Sequence, residues 1–191
     1  AIRDGGFKPF LLRGVTGSGK TEIYLRAIEE VNRQGKEALV LVPEISLTPQ
    51  TIRAFQGRCG QVAVLHSHLH NAERGSHWRR IARGEVQVVV GARSAVFAPT
   101  RELGLIVIDE EHETSFKQEE GVHYHARDVA VMRGKFEQCP VILASATPAI
   151  ETRQQVEIGR YAELKLPGRW GAAELPSIQA IDLLQEPPER G

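Results

Sequence analysis

Cysteine is scarce: Cys59 and Cys139 are the only two in 191 residues, and they lie far apart in sequence. That excludes a disulfide framework and any four-cysteine zinc site within the chain. Net charge is absent as well, with 24 basic residues against 24 acidic ones. A general electrostatic hold on nucleic acid is therefore excluded, and any such contact must use local patches. No apolar run approaches the roughly 20 residues of a membrane-spanning helix. Ala1–Gly6 carries no apolar segment of a secretory leader. Internal repeats and low-complexity tracts are lacking too. A reducing, cytoplasmic location with no membrane partner is the expectation. The start at Ala1 and the end bearing Pro167, Gly168, Pro176, Pro187 and Pro188 suggest an excised fragment or a processed protein.

What is present is an alternation of short apolar runs and longer amphipathic stretches. The runs fall at Phe10–Leu12, Ala38–Val42, Val62–Leu65, Val86–Val90, Leu105–Ile108 and Val141–Ala144. They are rich in Val, Leu and Ile and mostly lack polar alternation, as strands buried on both faces do. Helices are expected at Thr21–Gln34, Leu47–Arg58, Asn71–Arg83, Ala126–Glu137 and Ala149–Gly159. In the first, Ile23, Ala27, Ile28 and Val31 share one face and Gly35 is a stop signal. In the last, Pro148 suits the first turn, with Thr147 as cap. Repeated β-α units indicate an α/β domain: a mostly parallel central sheet with helices on both faces. Residues 1–166 form this domain and 167–191 a tail or linker, within which Pro176–Leu183 reads as one more strand or as a connection.

Gly14-Val15-Thr16-Gly17-Ser18-Gly19-Lys20-Thr21 fits G-x-x-x-x-G-K-[ST], and it stands between an apolar strand and an amphipathic helix. Glycines let successive backbone N–H groups curl around phosphate oxygens without side-chain collision. The helix N-terminus adds positive potential. Lys20 can reach the β- and γ-phosphates of ATP, and the Thr21 hydroxyl can ligate Mg²⁺. A P-loop needs an acidic partner at another strand end, and Ile106-Val107-Ile108-Asp109-Glu110-Glu111-His112 supplies one. Asp109 is the candidate to hold Mg²⁺ through water. Glu110 is the candidate to orient and deprotonate the attacking water. Lys20, Asp109 and Glu110 are thus the candidate catalytic set. Metal ligation by His112 or by His66-x-His68-x-His70 is an alternative, weakened by the lack of a fixed chain direction at that strand exit.

These motifs carry a resemblance. Asp109-Glu110-x-His112 after a P-loop resembles the superfamily 2 helicases. A narrower set is similar to the bacterial primosomal replication-restart helicases: Asp109 through Gln118, Tyr124-His125-Ala126-Arg127-Asp128, Leu41-Val42-Pro43-Glu44-Ile45-Ser46-Leu47-Thr48-Pro49-Gln50, Leu65-His66-Ser67, Gly91 through Phe97, and Ser145-Ala146-Thr147-Pro148. The likeness runs from Phe10 to Leu183. It implies the first RecA-like lobe of an ATP-driven DNA motor, with a second lobe and a zinc-binding segment lying outside this chain. It also implies single-stranded and forked DNA, primosome proteins and single-strand-binding proteins as partners, near the bacterial nucleoid.

By the same resemblance, Phe116, Lys117, Tyr124, His125 and Arg127 fall in a loop that senses single-stranded DNA. Rings beside cations suit base stacking and phosphate contact. Pro43, Thr48, Gln50, Arg93 and Ser94 match motifs along the DNA path. His112, Ser145 and Thr147 match motifs that couple nucleotide state to DNA, while simple helix capping is the plainer role for Ser145 and Thr147. Two departures stand out. Val122 follows Gly121 where the family usually has a large aromatic residue, and Ala1–Pro9 contains no Gln of the kind that reads adenine. His77-Trp78-Arg79-Arg80 reads equally as a cation–aromatic cluster and as a helix packing Trp78 inward. Competing functions are a small-metabolite phosphotransferase, a binding module with a vestigial nucleotide site, and a duplex translocase of a related branch. Glu113–Arg127 holds only one Arg and makes a poor phosphotransferase lid.

Overall fold

The computed structural model describes residues 5–169. The apolar runs become β1 (Pro9–Arg13), β2 (Glu37–Leu41), β3 (Val62–Leu65), β4 (Val88–Gly91), β5 (Leu103–Asp109) and β8 (Val141–Ser145). Two-residue strands β6 (Lys117–Gln118) and β7 (Tyr124–His125) pair as a small antiparallel hairpin. A final strand, β9 (Ala162–Lys165), completes a seven-stranded sheet in the order β3-β4-β2-β5-β8-β1-β9. Every pair in that sheet is parallel.

The runs lack alternation because each strand buries both faces. Leu39, Leu41, Ile106, Ile108, Val89 and Leu143 enter one core, while Ala38, Val40, Leu105, Val107, Val88 and Ile142 enter the other. Helices α1 (Lys20–Arg33) and α2 (Pro49–Cys59) cover the second core through Tyr24, Leu25, Ile28, Val31 and Phe55. Helices α3 (Asn71–Ala82) and α4 (Ala126–Phe136) cover the first through Ile81, Ala126 and Ala130. Helix α5 (Ile150–Glu157) follows β8. Cys59 and Cys139 are buried and unlinked. Among the described residues no helix is long and apolar enough to cross a membrane.

Several expectations need correction. β9 was not anticipated: its residues are half-buried or exposed, as an edge strand pairing only β1 allows. Tyr24 and Leu25, rather than Ile23, complete the buried face of α1. α5 starts at Ile150 with Ala149 as N-cap, so Pro148 lies before the helix and neither Ser145 nor Thr147 caps it. Trp78 is 39% exposed, and Ile81 is the residue of α3 that packs inward. Leu166 still donates its N–H to the Arg13 carbonyl at 2.8 Å, extending the sheet edge beyond β9. Of the tail assigned to 167–191, everything from 170 onward lies outside the described residues, including Pro176–Leu183.

A parallel sheet puts all its strand C-termini on one edge, and the register brings them level. Arg13 pairs Ser145, Asp109 pairs Ala144, and Leu41 pairs both Gly91 and Ile108. The candidate residues following β1, β2, β4, β5 and β8 therefore share one rim.

Candidate nucleotide site

The loop from Gly14 to Gly19 leaves β1 and ends at the first turn of α1. It is tied to β8 by the Gly14 N–H, which donates to the Ser145 carbonyl at 3.2 Å. Gly17 and Gly19 sit at φ 79° and 90°, where L side chains are strained, and a Cβ at either would meet nothing within 4 Å. Their role is thus backbone conformation, with open space beside each for a ligand to approach the main chain. Val15, Thr16 and Gly17 form the exposed crest, while Ser18 is buried and its Oγ has no hydrogen-bond partner. The hydroxyl lies against the Gly14 backbone, where a Cβ would meet it, and the Ser18 N–H donates to the Val15 carbonyl at 3.0 Å, which closes the turn of the loop.

Lys20 is buried, and its ammonium donates to the Gly14 carbonyl at 2.7 Å. It lies 3.9 Å from Glu110 Oε1. The Gly14 carbonyl, with the Val15 carbonyl at 3.5 Å, holds the ammonium where phosphate oxygens would otherwise take it. The open glycine cradle, the unpaired Ser18 hydroxyl and the buried ammonium together fit a phosphate chain.

β5 delivers Asp109 at its last position. Burial pushes the Asp109 carboxyl above its usual range, a donated hydrogen bond from Tyr24 opposes this, and the Glu110 charge adds to it. Tyr24 comes from the second turn of α1, is 2% exposed, and reaches both Asp109 Oδ2 at 3.0 Å and Thr21 Oγ1 at 3.2 Å. Burial and the Asp109 charge raise its phenol well above the ordinary value, so it stays a donor. Tyr24 was missed in sequence. The available signal was helical spacing: three residues beyond Thr21, it shares that face of α1.

Glu110 adopts φ 47°, rare for a residue with a Cβ. Its N–H turns back to Asp109 Oδ1 at 3.1 Å, and its carboxylate points between Lys20 and His112, 3.6 Å from His112 Nδ1. The positive φ aims this carboxylate back toward the phosphate cradle side of the rim, within 3.9 Å of Lys20. His112 Nδ1 meets Ser145 Oγ at 2.8 Å, and Ser145 Oγ accepts the Thr147 N–H at 3.0 Å. Ser145 is wholly buried, whereas the Thr147 side chain is exposed and joins this chain only through its backbone.

Glu111, between these groups, was given no role in sequence. It is fully buried and holds three elements: its carboxylate accepts from the Ala149 N–H at 2.8 Å, the Thr152 hydroxyl at 2.8 Å and Arg127 Nη1 at 3.3 Å. Partners 16 to 41 residues away leave no local signal. Arg127 is correspondingly buried and paired with Glu111 and Asp128. This corrects its assignment to DNA: the guanidinium is a strut between α4, the segment just after β5 and, through Glu151 at 3.8 Å, α5. Glu111→Ala should strand that buried charge and cost about 3–5 kcal/mol of stability. Urea unfolding of Glu111→Ala, Glu111→Gln and the parent chain checks this. Loss in the alanine variant should exceed that in glutamine, which keeps an acceptor.

Phe116 needs a similar correction. It is 1% exposed and belongs to the core under α4, so it cannot stack on a base. His125 caps α4: its Nδ1 accepts the Arg127 N–H at 3.2 Å, and burial with the nearby Arg127 charge holds its pKa down, keeping that nitrogen free to accept. Lys117 is exposed and pairs Glu119 at 2.7 Å. Tyr124 is half-buried and meets Phe97 edge to face at 5.2 Å. Val122 stands 81% exposed in the connection between β6 and β7.

Along the rim, Pro43 is buried ahead of a short 3₁₀ turn, Glu44–Ser46. Thr48 caps α2 by accepting the Thr51 N–H at 3.2 Å, and Gln50 is exposed in its first turn. Arg93 and exposed Ser94 open a second 3₁₀ turn after β4. Arg93 Nη1 donates to the carbonyls of Ser115 at 3.2 Å and Lys117 at 2.6 Å, bracing the turn that leads into β6. Arg93, Ser94 and Tyr124 line one cavity of about 230 Å³ with Glu44 and Gln118. Pro43, Thr48 and Gln50 do not line it. His66, His68 and His70 follow β3, and no group of three His, Cys, Asp or Glu among the described residues is gathered as for a metal ion.

A parallel α/β sheet with a P-loop after β1, and Asp-Glu-Glu-His at the end of β5, defines a helicase-type NTPase lobe. The DEAD/DEAH box helicase family matches residues 3–156, and the chain belongs to that family. It is 55% identical over 180 residues to the replication restart protein PriA of Bacillus subtilis (strain 168), covering 94% of this chain and 22% of that protein. To PriA of Rickettsia felis (strain ATCC VR-1525 / URRWXCal2) it is 45% identical, covering 94% of this chain and 28% of that protein. The chain thus spans about a quarter of the length of these curated relatives. Among solved structures, RecG bound to a three-way DNA junction aligns with a TM-score of 0.62 and 22% identity, over 88% of this chain and 22% of that one. That likeness shows the RecA-like helicase fold; nucleotide use is implied by the helicase family match.

Proposed function

We propose that this chain is the first, ATP-binding motor lobe of a longer bacterial DNA helicase that acts in replication restart. The observation that carries the proposal is convergence. Lys20, Thr21, Asp109 and Glu110 come from two segments about 90 residues apart in sequence and meet at one cradle, linked by Tyr24 and by the 3.9 Å approach of Lys20 to Glu110. The names of the relatives supply the biological setting, and a cytoplasmic, nucleoid-associated site of action follows from it. Residues 1–166 are the lobe itself, and 167–191 are taken as the connection to a second lobe.

Gly14 through Gly19 would wrap the phosphates of ATP, with Thr16, Gly17 and Ser18 on the crest and inner wall. Thr21 and Asp109 would hold Mg²⁺, which neutralises charge on the phosphate oxygens when bound. Lys20 would leave the Gly14 carbonyl for the β- and γ-phosphates. Glu110, poised beside Lys20, would accept the proton of the attacking water. The His112–Ser145 hydrogen bond joins this acidic segment to β8, and through Thr147 to the rim. Arg93, Ser94, Lys117 and Tyr124 are the residues proposed to meet or sense single-stranded DNA there, with Pro43, Thr48, Gln50 and His125 shaping their elements. Primosome and single-strand-binding proteins are the proposed partners, and zinc is expected only outside this chain.

The test is made on a longer protein that carries this chain with its second lobe. ATP hydrolysis should rise on adding single-stranded DNA, and forked duplex should be separated. Hydrolysis indifferent to DNA would contradict the motor. Lys20→Ala should weaken nucleotide binding by about 1–3 kcal/mol, as expected for loss of a charge-assisted hydrogen bond. Titration calorimetry giving equal affinity in the variant and its parent would refute the role of Lys20.

A further inference from the structure

We propose that Tyr24 is a positioning residue of the metal–nucleotide site, orienting the Thr21 hydroxyl and the Asp109 carboxylate toward a divalent cation. The proposal rests on the nucleotide-binding function above and adds a residue outside both sequence motifs.

The ring of Tyr24 is fixed by packing. It is 2% exposed and stacks on Phe55 of α2, with centroids 6.3 Å apart and planes within 10°. Its oxygen is thereby held 3.0 Å from Asp109 Oδ2 and 3.2 Å from Thr21 Oγ1. Both contacts run from the phenol, which donates toward Asp109 Oδ2 and toward Thr21 Oγ1. A phenol has one proton, and an ionised carboxylate only accepts. That proton is therefore shared between the two oxygens and fixes both, and Thr21 Oγ1 keeps its second lone pair for a cation. Asp109 Oδ1 accepts the Glu110 N–H at 3.1 Å, so each carboxylate oxygen has one fixed protein partner and capacity to spare.

Without the phenol, nothing would hold the Thr21 hydroxyl, which would be free to donate to a carbonyl one turn back in its own segment. The lone pairs would rotate out of register, and Asp109 would lose one of its two anchors. A small hard cation tolerates this poorly, because it demands near-octahedral oxygen geometry. The phosphate cradle itself, built from backbone N–H groups and Lys20, does not involve Tyr24. The consequence is a selective defect in metal affinity with the cradle intact.

The experiment uses this 191-residue chain. ADP affinity is measured by calorimetry in excess chelator and across a Mg²⁺ series, giving the Mg²⁺ affinity of the ADP complex. Tyr24→Phe keeps the ring and its stacking on Phe55, and thermal melting confirms the fold. Expected is unchanged ADP affinity in chelator and a Mg²⁺ requirement raised roughly 10- to 100-fold, the usual cost of losing a group that orients a metal ligand. In a Thr21→Ala background, Tyr24→Phe should shift the Mg²⁺ requirement much less than in the parent. An unchanged Mg²⁺ requirement overturns the proposal. So does an equal loss of ADP affinity with and without Mg²⁺, which would make Tyr24 a prop for the whole loop. A parent chain that binds no ADP under either condition overturns the nucleotide function itself, a result distinct from both.

Discussion

Replacing Glu110 with Gln should nearly abolish ATP turnover in the two-lobed protein while leaving nucleotide binding in place. The amide keeps the size and polarity of the carboxylate but cannot accept the proton that water must lose. A positioned general base contributes about 10²- to 10⁴-fold in rate. The substitution is conservative in every other respect. Glutamine can occupy the φ 47° conformation at the same cost as glutamate, and its N–H can still donate to Asp109. Lys20 and His112 lose approaches of 3.9 Å and 3.6 Å to a negative charge, while Lys20 keeps its bond to the Gly14 carbonyl. Single-turnover hydrolysis and equilibrium binding, measured on the same preparation, separate the two effects. Turnover near that of the parent protein with collapsed binding would instead make Glu110 a ligand of the bound metal.

The second large effect is expected without any substitution. The 191-residue chain alone should hydrolyse ATP near background, and single-stranded DNA should change that little. Phosphoryl transfer requires charge neutralisation at the γ-phosphate beyond what one lysine and one metal ion provide, and an arginine at that position is worth roughly 10³–10⁵ in rate. Three arginines near the rim are committed elsewhere, and no motif places the fourth, Arg153, which lines a cavity with Gly14, Val15 and Thr147, at the γ-phosphate. Arg93 braces the Ser115 and Lys117 carbonyls, Arg127 is buried against Glu111, and Arg13 pairs Glu163 at 3.3 Å. Restoring a second lobe on the same chain should restore turnover and its response to DNA. Robust hydrolysis by the short chain would make it a complete enzyme and favour a small-molecule phosphotransferase.

The parts legible from sequence were those whose physics is local. Ala38–Val42 and Leu105–Ile108 read as doubly buried strands because every residue is apolar, whichever face it meets. The P-loop and the Asp-Glu-Glu-His segment are contiguous, so their chemistry is visible without a fold. β9 was invisible for the opposite reason: Ala162-Glu163-Leu164-Lys165 is an edge, and Glu163 and Lys165 spend their side chains on an ion pair at 3.2 Å. Residues whose meaning depends on distant partners were misjudged or missed. Phe116 and Arg127 bound a segment whose composition suits DNA, yet one fills the core and the other answers Glu111. Tyr24 looks like part of an apolar helix face until Asp109, 85 residues on, is placed against its hydroxyl.

That placement is also what most directly invites measurement. Titration of ADP with Mg²⁺ into the 191-residue chain should give saturable binding at one site, competed by ATP and weakened in Lys20→Ala. Absence of any binding heat at millimolar nucleotide, from a chain that melts cooperatively and is therefore folded, would contradict the nucleotide site and the motor function built upon it.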